Sequence, residues 1–190
     1  MVFRALAGVS GMMLALLLAG GASAATVDGT KVRDTLTAGD TELFLNGAGT
    51  RSKFFIKLYV AALYLPEKST DASAILAAEE PQAIALHVTS GRINSDNMTE
   101  ATLEGLDKST DGNMAPIQDE VDALLAVFAD EISEGDVFDL VYVPDEGVQV
   151  IKNGELGRTI GDRQFKEALF GIWLSDDPVQ GSLKADMLGK

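Results

Sequence analysis

The sequence predicts an exported α+β domain, and three observations carry that reading. Short runs rich in β-branched and aromatic residues alternate in hydrophobicity between tight-turn signals, of which Asn153-Gly154 is the clearest. Two later segments, 117–128 and 163–174, instead space their apolar residues at helical period. The first 24 residues fit neither pattern. They run from Arg4 through an apolar stretch, Ala5 to Leu18, to the small-residue site Ala22-Ser23-Ala24, which is the order of a secretory signal.

Residues 1–24 are therefore expected to be a signal peptide and residues 25–190 the mature domain, placed in the periplasm. The uncharged run continues to Val27, which would suit an uncleaved anchor, but its later part is Gly and small residues. Cleavage after Ala24 is the better reading, leaving no stable membrane anchor. The chain has no cysteine, so neither a lipoprotein anchor nor a disulfide framework is available. One core of this length can stabilise itself by packing. A formal charge of −14 repels phosphate backbones and excludes nucleic acid as a partner. Against that acidity, Arg51, Lys53 and Lys57 form a dense cationic group.

The elements follow in order. Lys31 to Thr37 alternates, Ala38-Gly39-Asp40 turns, and Thr41 to Leu45 resumes as a strand. Gly47 and Gly49 lead into another strand rather than a helix, so they mark a turn or bulge and not a phosphate cradle. Arg51 to Leu65 reads as one long strand stopped by Pro66. Its even face, from Phe54, Ile56 and Leu58 to Tyr64, is apolar and expected on a core. Its odd face runs from Arg51, Lys53, Phe55, Lys57 and Tyr59 into Ala61 and Leu63. That gradient suits a molecule with an acidic head and an apolar tail, or simply a solvated strand end.

Asp71 can cap a short helix, and Gln82 to Thr89 is a strand with Ile84, Leu86 and Val88 inward. A helix from Asn94 or Ser95 to about Lys108 places Met98, Ala101 or Thr102, and Leu106 on one face. The polar stretch Asp107–Asn113 lacks calcium-loop spacing and connects to the helix opened by Pro116. Strands at 136–142, 148–152 and 155–160 make a meander. Asp162 then caps the helix carrying Phe165, Leu169, Ile172 and Trp173, and a short helix spans 179–188.

Nucleophile-elbow, zinc-protease and P-loop motifs are missing from the sequence. His87, the single histidine, falls on the strand face opposite Leu86. Alone it is an ordinary sheet residue, with haem or tetrapyrrole ligation as the alternative. No metal site and no cofactor is expected.

Two segments go further. Residues 46–66, Asn46-Gly-Ala-Gly-Thr-Arg-Ser-Lys-Phe-Phe-Ile-Lys-Leu-Tyr-Val-Ala-Ala-Leu-Tyr-Leu-Pro66, resemble the signature of the bacterial chalcone isomerase-like family. Residues 165–189 resemble that family's C-terminal helix pair, and the order of elements between them also fits. The resemblance implies an open-faced β-sandwich, a long antiparallel sheet with helices layered on one face and a ligand cleft between them.

Activity does not follow from fold. The resemblance matches the plant enzyme's arginine to Arg51 and its strand threonine to the neighbourhood of Tyr59. Its tyrosine, lysine and asparagine fall near Asn94, Asn97 and Ala101, so most of the catalytic set is not retained. Fatty-acid-binding members of the superfamily hold a carboxylate through an arginine and a tyrosine, which Arg51 and Tyr59 resemble. The expectation is non-catalytic binding of a fatty acid or similar apolar carboxylate, with Arg51, Tyr59, Phe55, Lys53, Lys57, Asn94 and Asn97 as the binding set. The alternative is an isomerase (an intramolecular lyase) acting on a phenolic or enone ligand, with Arg51 and Tyr59 as its catalytic pair.

Overall fold

The computed structural model describes residues 24–190, so the expected signal sequence lies outside the described residues except for Ala24. The strands are β1 (Ala24–Val27), β2 (Thr30–Arg33), β3 (Thr35–Ala38), β4 (Thr41–Lys53), β5 (Ile56–Leu65), β6 (Gln82–Val88), β7 (Val137–Val143), β8 (Gly147–Lys152) and β9 (Glu155–Ile160). The helices are α1 (Ala72–Ala77), α2 (Ser95–Ser109), α3 (Gln118–Phe128), α4 (Arg163–Leu174) and α5 (Gly181–Met187). β3 to β9 form one seven-stranded antiparallel sheet in sequence order, a curled meander. The β1–β2 hairpin is a separate two-stranded unit.

Side-chain alternation gives this sheet two dry faces. On one, Ala61, Leu63, Leu86, Phe138 and Leu140 pack against Leu106, Leu124, Phe165, Leu169 and Trp173 of the helices. On the other, Val60, Ala62, Tyr64 and Ala85 are covered by the N-terminal strands through Val32, Leu36 and Leu43. Each fully buried Leu or Phe contributes about 1.5–3 kcal/mol.

Helix α4 is the hub of the helical layer. The Asp162 carboxylate caps it, accepting from the amides of Gln164 (2.8 Å) and Phe165 (3.3 Å). It is buried on nearly every side. Helix α2 crosses it at Gly105, where an added Cβ would lie 2.8 Å from Ile172 Cγ2. Lys166 is completely buried, and its ammonium donates to the carbonyls of Leu76 (2.7 Å), Ala78 (2.7 Å) and Ile75 (3.3 Å). It thereby closes the C-terminal end of α1, over the ring of Tyr142 at 5.1 Å.

Two expectations change in the region that positions the site. The expected single strand over residues 51–65 is a hairpin: β4 ends at Lys53, Phe54 and Phe55 turn, and β5 begins at Ile56. Aromatic residues have strong strand propensity, and that is what hides this turn in the sequence. A bulge follows. Arg51 pairs with Tyr59 and Ser52 with Lys57, so Leu58 has no partner on β4. Leu58 and Tyr59 consequently both reach the helical side, while Lys57 turns away to meet Asp28 at 2.8 Å. Phe54, expected in the core, is 83% exposed.

Gly47 and Gly49 lie inside β4 at a second irregularity, centred on Asn46, which is the bulge option of the sequence reading. Asn46 bonds Ser69 through both its amide groups and also donates to the Met187 carbonyl, all at 2.9 Å. The glycines admit α5: a Cβ at Gly47 would stand 2.2 Å from the Asp186 carbonyl oxygen. That seat brings Gln180, at the start of α5, over the outer end of β4.

Candidate ligand cleft

The cleft lies between the outer end of β5 and helices α2 and α4. Its inner cavity of about 110 Å³ is walled by Leu86, Phe128, Leu140, Leu169 and Ile172, with Arg51, Lys53, Glu104 and Lys108 at the rim. A second cavity of about 280 Å³ adjoins it through Lys53, Leu58, Tyr59, Met98 and Ala101 and opens toward Phe54, Ile56 and Arg92. Together they sit near the lower end of the roughly 300–1,000 Å³ range of small-molecule sites. Strand parity and the Leu58 bulge supply the floor. The Met98 and Thr102 stripe of α2 and the Trp173 end of α4 supply the walls.

Arg51 is held from α5. Its Nη1 donates to the Gln180 Oε1 (3.1 Å) and to the Ser52 carbonyl (2.7 Å). The same Gln180 oxygen accepts from the Ser52 amide at 2.9 Å, while its Nε2 donates to the Thr50 carbonyl at 3.1 Å. Arg51 faces Tyr59 directly across the β4–β5 ladder. The Tyr59 hydroxyl accepts from the Trp173 indole N–H at 3.0 Å, so its own proton remains free to donate.

Burial raises the Tyr59 pKa, against the opposing pull of the Trp173 hydrogen bond and the Arg51 charge. The phenol is therefore neutral at physiological pH. It is a hydrogen-bond donor beside a guanidinium, which is the donor set for an anionic oxygen. It is not poised to act as a base.

Of the sequence-predicted binding set, the structure brings Arg51, Lys53 and Tyr59 to the inner cleft, and Asn97 to the wall of its outer part. Asn97 is nonetheless occupied, closing a capping box with Asn94 at the start of α2. Asn94 is that helix's N-cap and does not line either cavity. Phe55 stands fully in solvent at the hairpin tip, and Lys57 lies on the opposite sheet face. His87, the alternative haem ligand, also faces away from the cleft. Its Nε2 is enclosed without a partner near the Arg33–Asp139 ion pair, and burial lowers its pKa.

Sequence reasoning missed Gln180 and missed Trp173 as a polar group. The Trp173 indole was visible only as one point on an apolar stripe, and Gln180 carries no local signal.

The sequence model of the chalcone isomerase-like family matches residues 24–189. Among solved structures, a fatty-acid-binding protein of Arabidopsis thaliana superposes with a TM-score of 0.63 at 17% identity, covering 84% of this chain and 92% of its own. At that identity the likeness carries the fold. The search of curated proteins returns no match. Matched over nearly every residue from Ala24 onward, the chain belongs to the chalcone isomerase-like family.

Proposed function

We propose that this protein binds a fatty acid or a similar apolar carboxylate without turning it over. One observation carries the reading: a guanidinium and a neutral phenol stand together at the rim of a cavity whose inner wall, formed by Leu86, Phe128, Leu140, Leu169 and Ile172, is apolar. Arg51 and Tyr59 hold the carboxylate by charge-assisted hydrogen bonds, and the alkyl chain follows Leu58, Met98 and the inner apolar wall. Gln180 fixes the guanidinium in advance, which lowers the cost of ordering it on binding. The structural relative from Arabidopsis thaliana is a fatty-acid-binding protein, which agrees with this reading.

The isomerase alternative has one point in its favour, since the same two donors would also meet a phenolate oxygen. It lacks the rest of the set, because Asn94 and Asn97 are spent on the helix cap and Ala101 has no functional group. The protein acts, on this reading, in the periplasm after removal of residues 1–24. N-terminal sequencing of the periplasmic fraction should begin at Ala25. Mass spectrometry of what co-purifies with that fraction tests the ligand: a long-chain carboxylate supports the binder, and a Soret band would replace it with the tetrapyrrole reading.

A further inference from the structure

The β4–β5 hairpin breaks a rule that comparable hairpins of this chain keep. Two-residue turns with both residues at positive φ favour Asn-Gly or Asp-Gly, because aromatic side chains crowd the backbone there. β1–β2 turns through Asp28 (φ 49°) and Gly29 (φ 89°), and β8–β9 through Asn153 (53°) and Gly154 (85°). β4–β5 turns through Phe54 (50°) and Phe55 (64°). The two rings gain little from packing, being 83% and 105% exposed. Backbone strain and bare aromatic surface coincide at the same two residues, and nothing inside the fold offsets either.

The surrounding charge indicates what covers them. From Leu43 to Pro66 the sequence holds Arg51, Lys53 and Lys57 and not one Asp or Glu, in a chain of net charge −14. Lys53 makes no ion pair among the described residues, and the Lys57–Asp28 pair is exposed enough to yield to a stronger anion. Glu100 and Glu104 lie nearby, across the cavity mouth with Arg92. Charges farther away are screened within a Debye length of about 8 Å at physiological salt.

We propose that the Phe54–Phe55 tip docks the protein on an anionic phospholipid surface, both rings entering the headgroup–acyl boundary while Lys53 and Lys57 meet headgroup phosphates. Phe54 also borders the outer cavity, so docking sets the cleft mouth against the membrane, where apolar carboxylates reside. The attachment is peripheral and reversible, and it stands independently of what the cleft carries.

The test is co-sedimentation of the protein recovered from the periplasm, beginning at Ala25, with phosphatidylglycerol–phosphatidylethanolamine vesicles and with phosphatidylcholine vesicles. Phe54→Asn with Phe55→Gly restores the favoured turn. Its melting temperature should rise while its partitioning onto anionic vesicles falls about tenfold or more. Leu156→Ser, at an exposed apolar residue on β9 away from the tip, should leave partitioning unchanged. In a Phe55→Trp variant the added indole should shift its emission to the blue on anionic vesicles and be quenched by brominated lipid. The proposal is overturned if the turn-restored variant partitions as wild type does, or if the emission of Phe55→Trp does not respond to lipid. It is also overturned if the wild type ignores vesicles but forms a dimer that the turn-restored variant abolishes.

Discussion

The Trp173 indole donates to the Tyr59 hydroxyl across the cleft at 3.0 Å, joining helix α4 to the strand that carries the rim. The bond leaves the phenol proton free and fixes its oxygen next to Arg51. A double-mutant cycle on Tyr59→Phe and Trp173→Phe should give a coupling of about 0.5–1.5 kcal/mol in denaturant unfolding. Strict additivity of the two variants would show that the pair contributes nothing.

Lys166 sets a pH dependence. Burial pulls its pKa down to about 8, from 10.5 in the unfolded chain. Between those values the folded protein binds fewer protons than the unfolded one, so stability rises with pH across that window. The rise amounts to about 3 kcal/mol at its top. Tyr64 works in the opposite sense only above pH 10, because burial raises it to about 12. Denaturation midpoints at pH 7.5, 8.5 and 9.5 should climb in the wild type. In Lys166→Met the climb should vanish, and near pH 7 the variant should be weaker by about 2–4 kcal/mol through its orphaned α1 carbonyls. A flat wild-type profile would contradict this.

Gly47→Ala tests the seat of α5. The added methyl would meet backbone at 2.2 Å, and backbone cannot swing aside as a side chain does. A loss of about 2–4 kcal/mol is expected, together with weaker ligand binding as Gln180 moves off Arg51. A thermal melt matching that of the wild type would mean that α5 does not rest on β4.

Chalcone cyclisation should proceed no faster than the spontaneous reaction, since Asn94 and Asn97 serve as a helix cap. Steady-state turnover of naringenin chalcone, abolished by Arg51→Ala, would favour the isomerase reading instead.

Much of the architecture was legible in the sequence, because its signals are local. Asp71, Asn94 and Asp162 each cap the helix that their side-chain chemistry announces. Asn153-Gly154 makes its hairpin, and alternation on β6 separates Leu86 from His87 correctly. The candidate site was legible in part. Arg51 and Tyr59 share a face because they are cross-strand partners, although the sequence reading placed them along one strand. Phe54-Phe55 concealed the turn, since its residues argue for the opposite conformation. The bulge at Leu58 then reversed Lys57, as a one-residue slip must. Gln180 and the Trp173 N–H became part of the site only through contacts more than a hundred residues apart in sequence.

Arg51 bears the central claim, and titration of palmitate into Arg51→Ala alongside the wild type tests it most directly. Affinity should fall about tenfold to hundredfold, the loss of roughly 1.5–3 kcal/mol of charge-assisted bonding, with little change in the thermal melt. Arg51→Lys should recover only part of the affinity, lacking the bidentate fork, and Tyr59→Phe should cost about 0.5–1.5 kcal/mol. Leu43→Ala, in the core on the far face of the sheet, should lose about 2–5 kcal/mol of stability and leave affinity intact. If Arg51→Ala binds palmitate as the wild type does, or melts as early as Leu43→Ala, Arg51 is a structural residue and the cleft is not a carboxylate site.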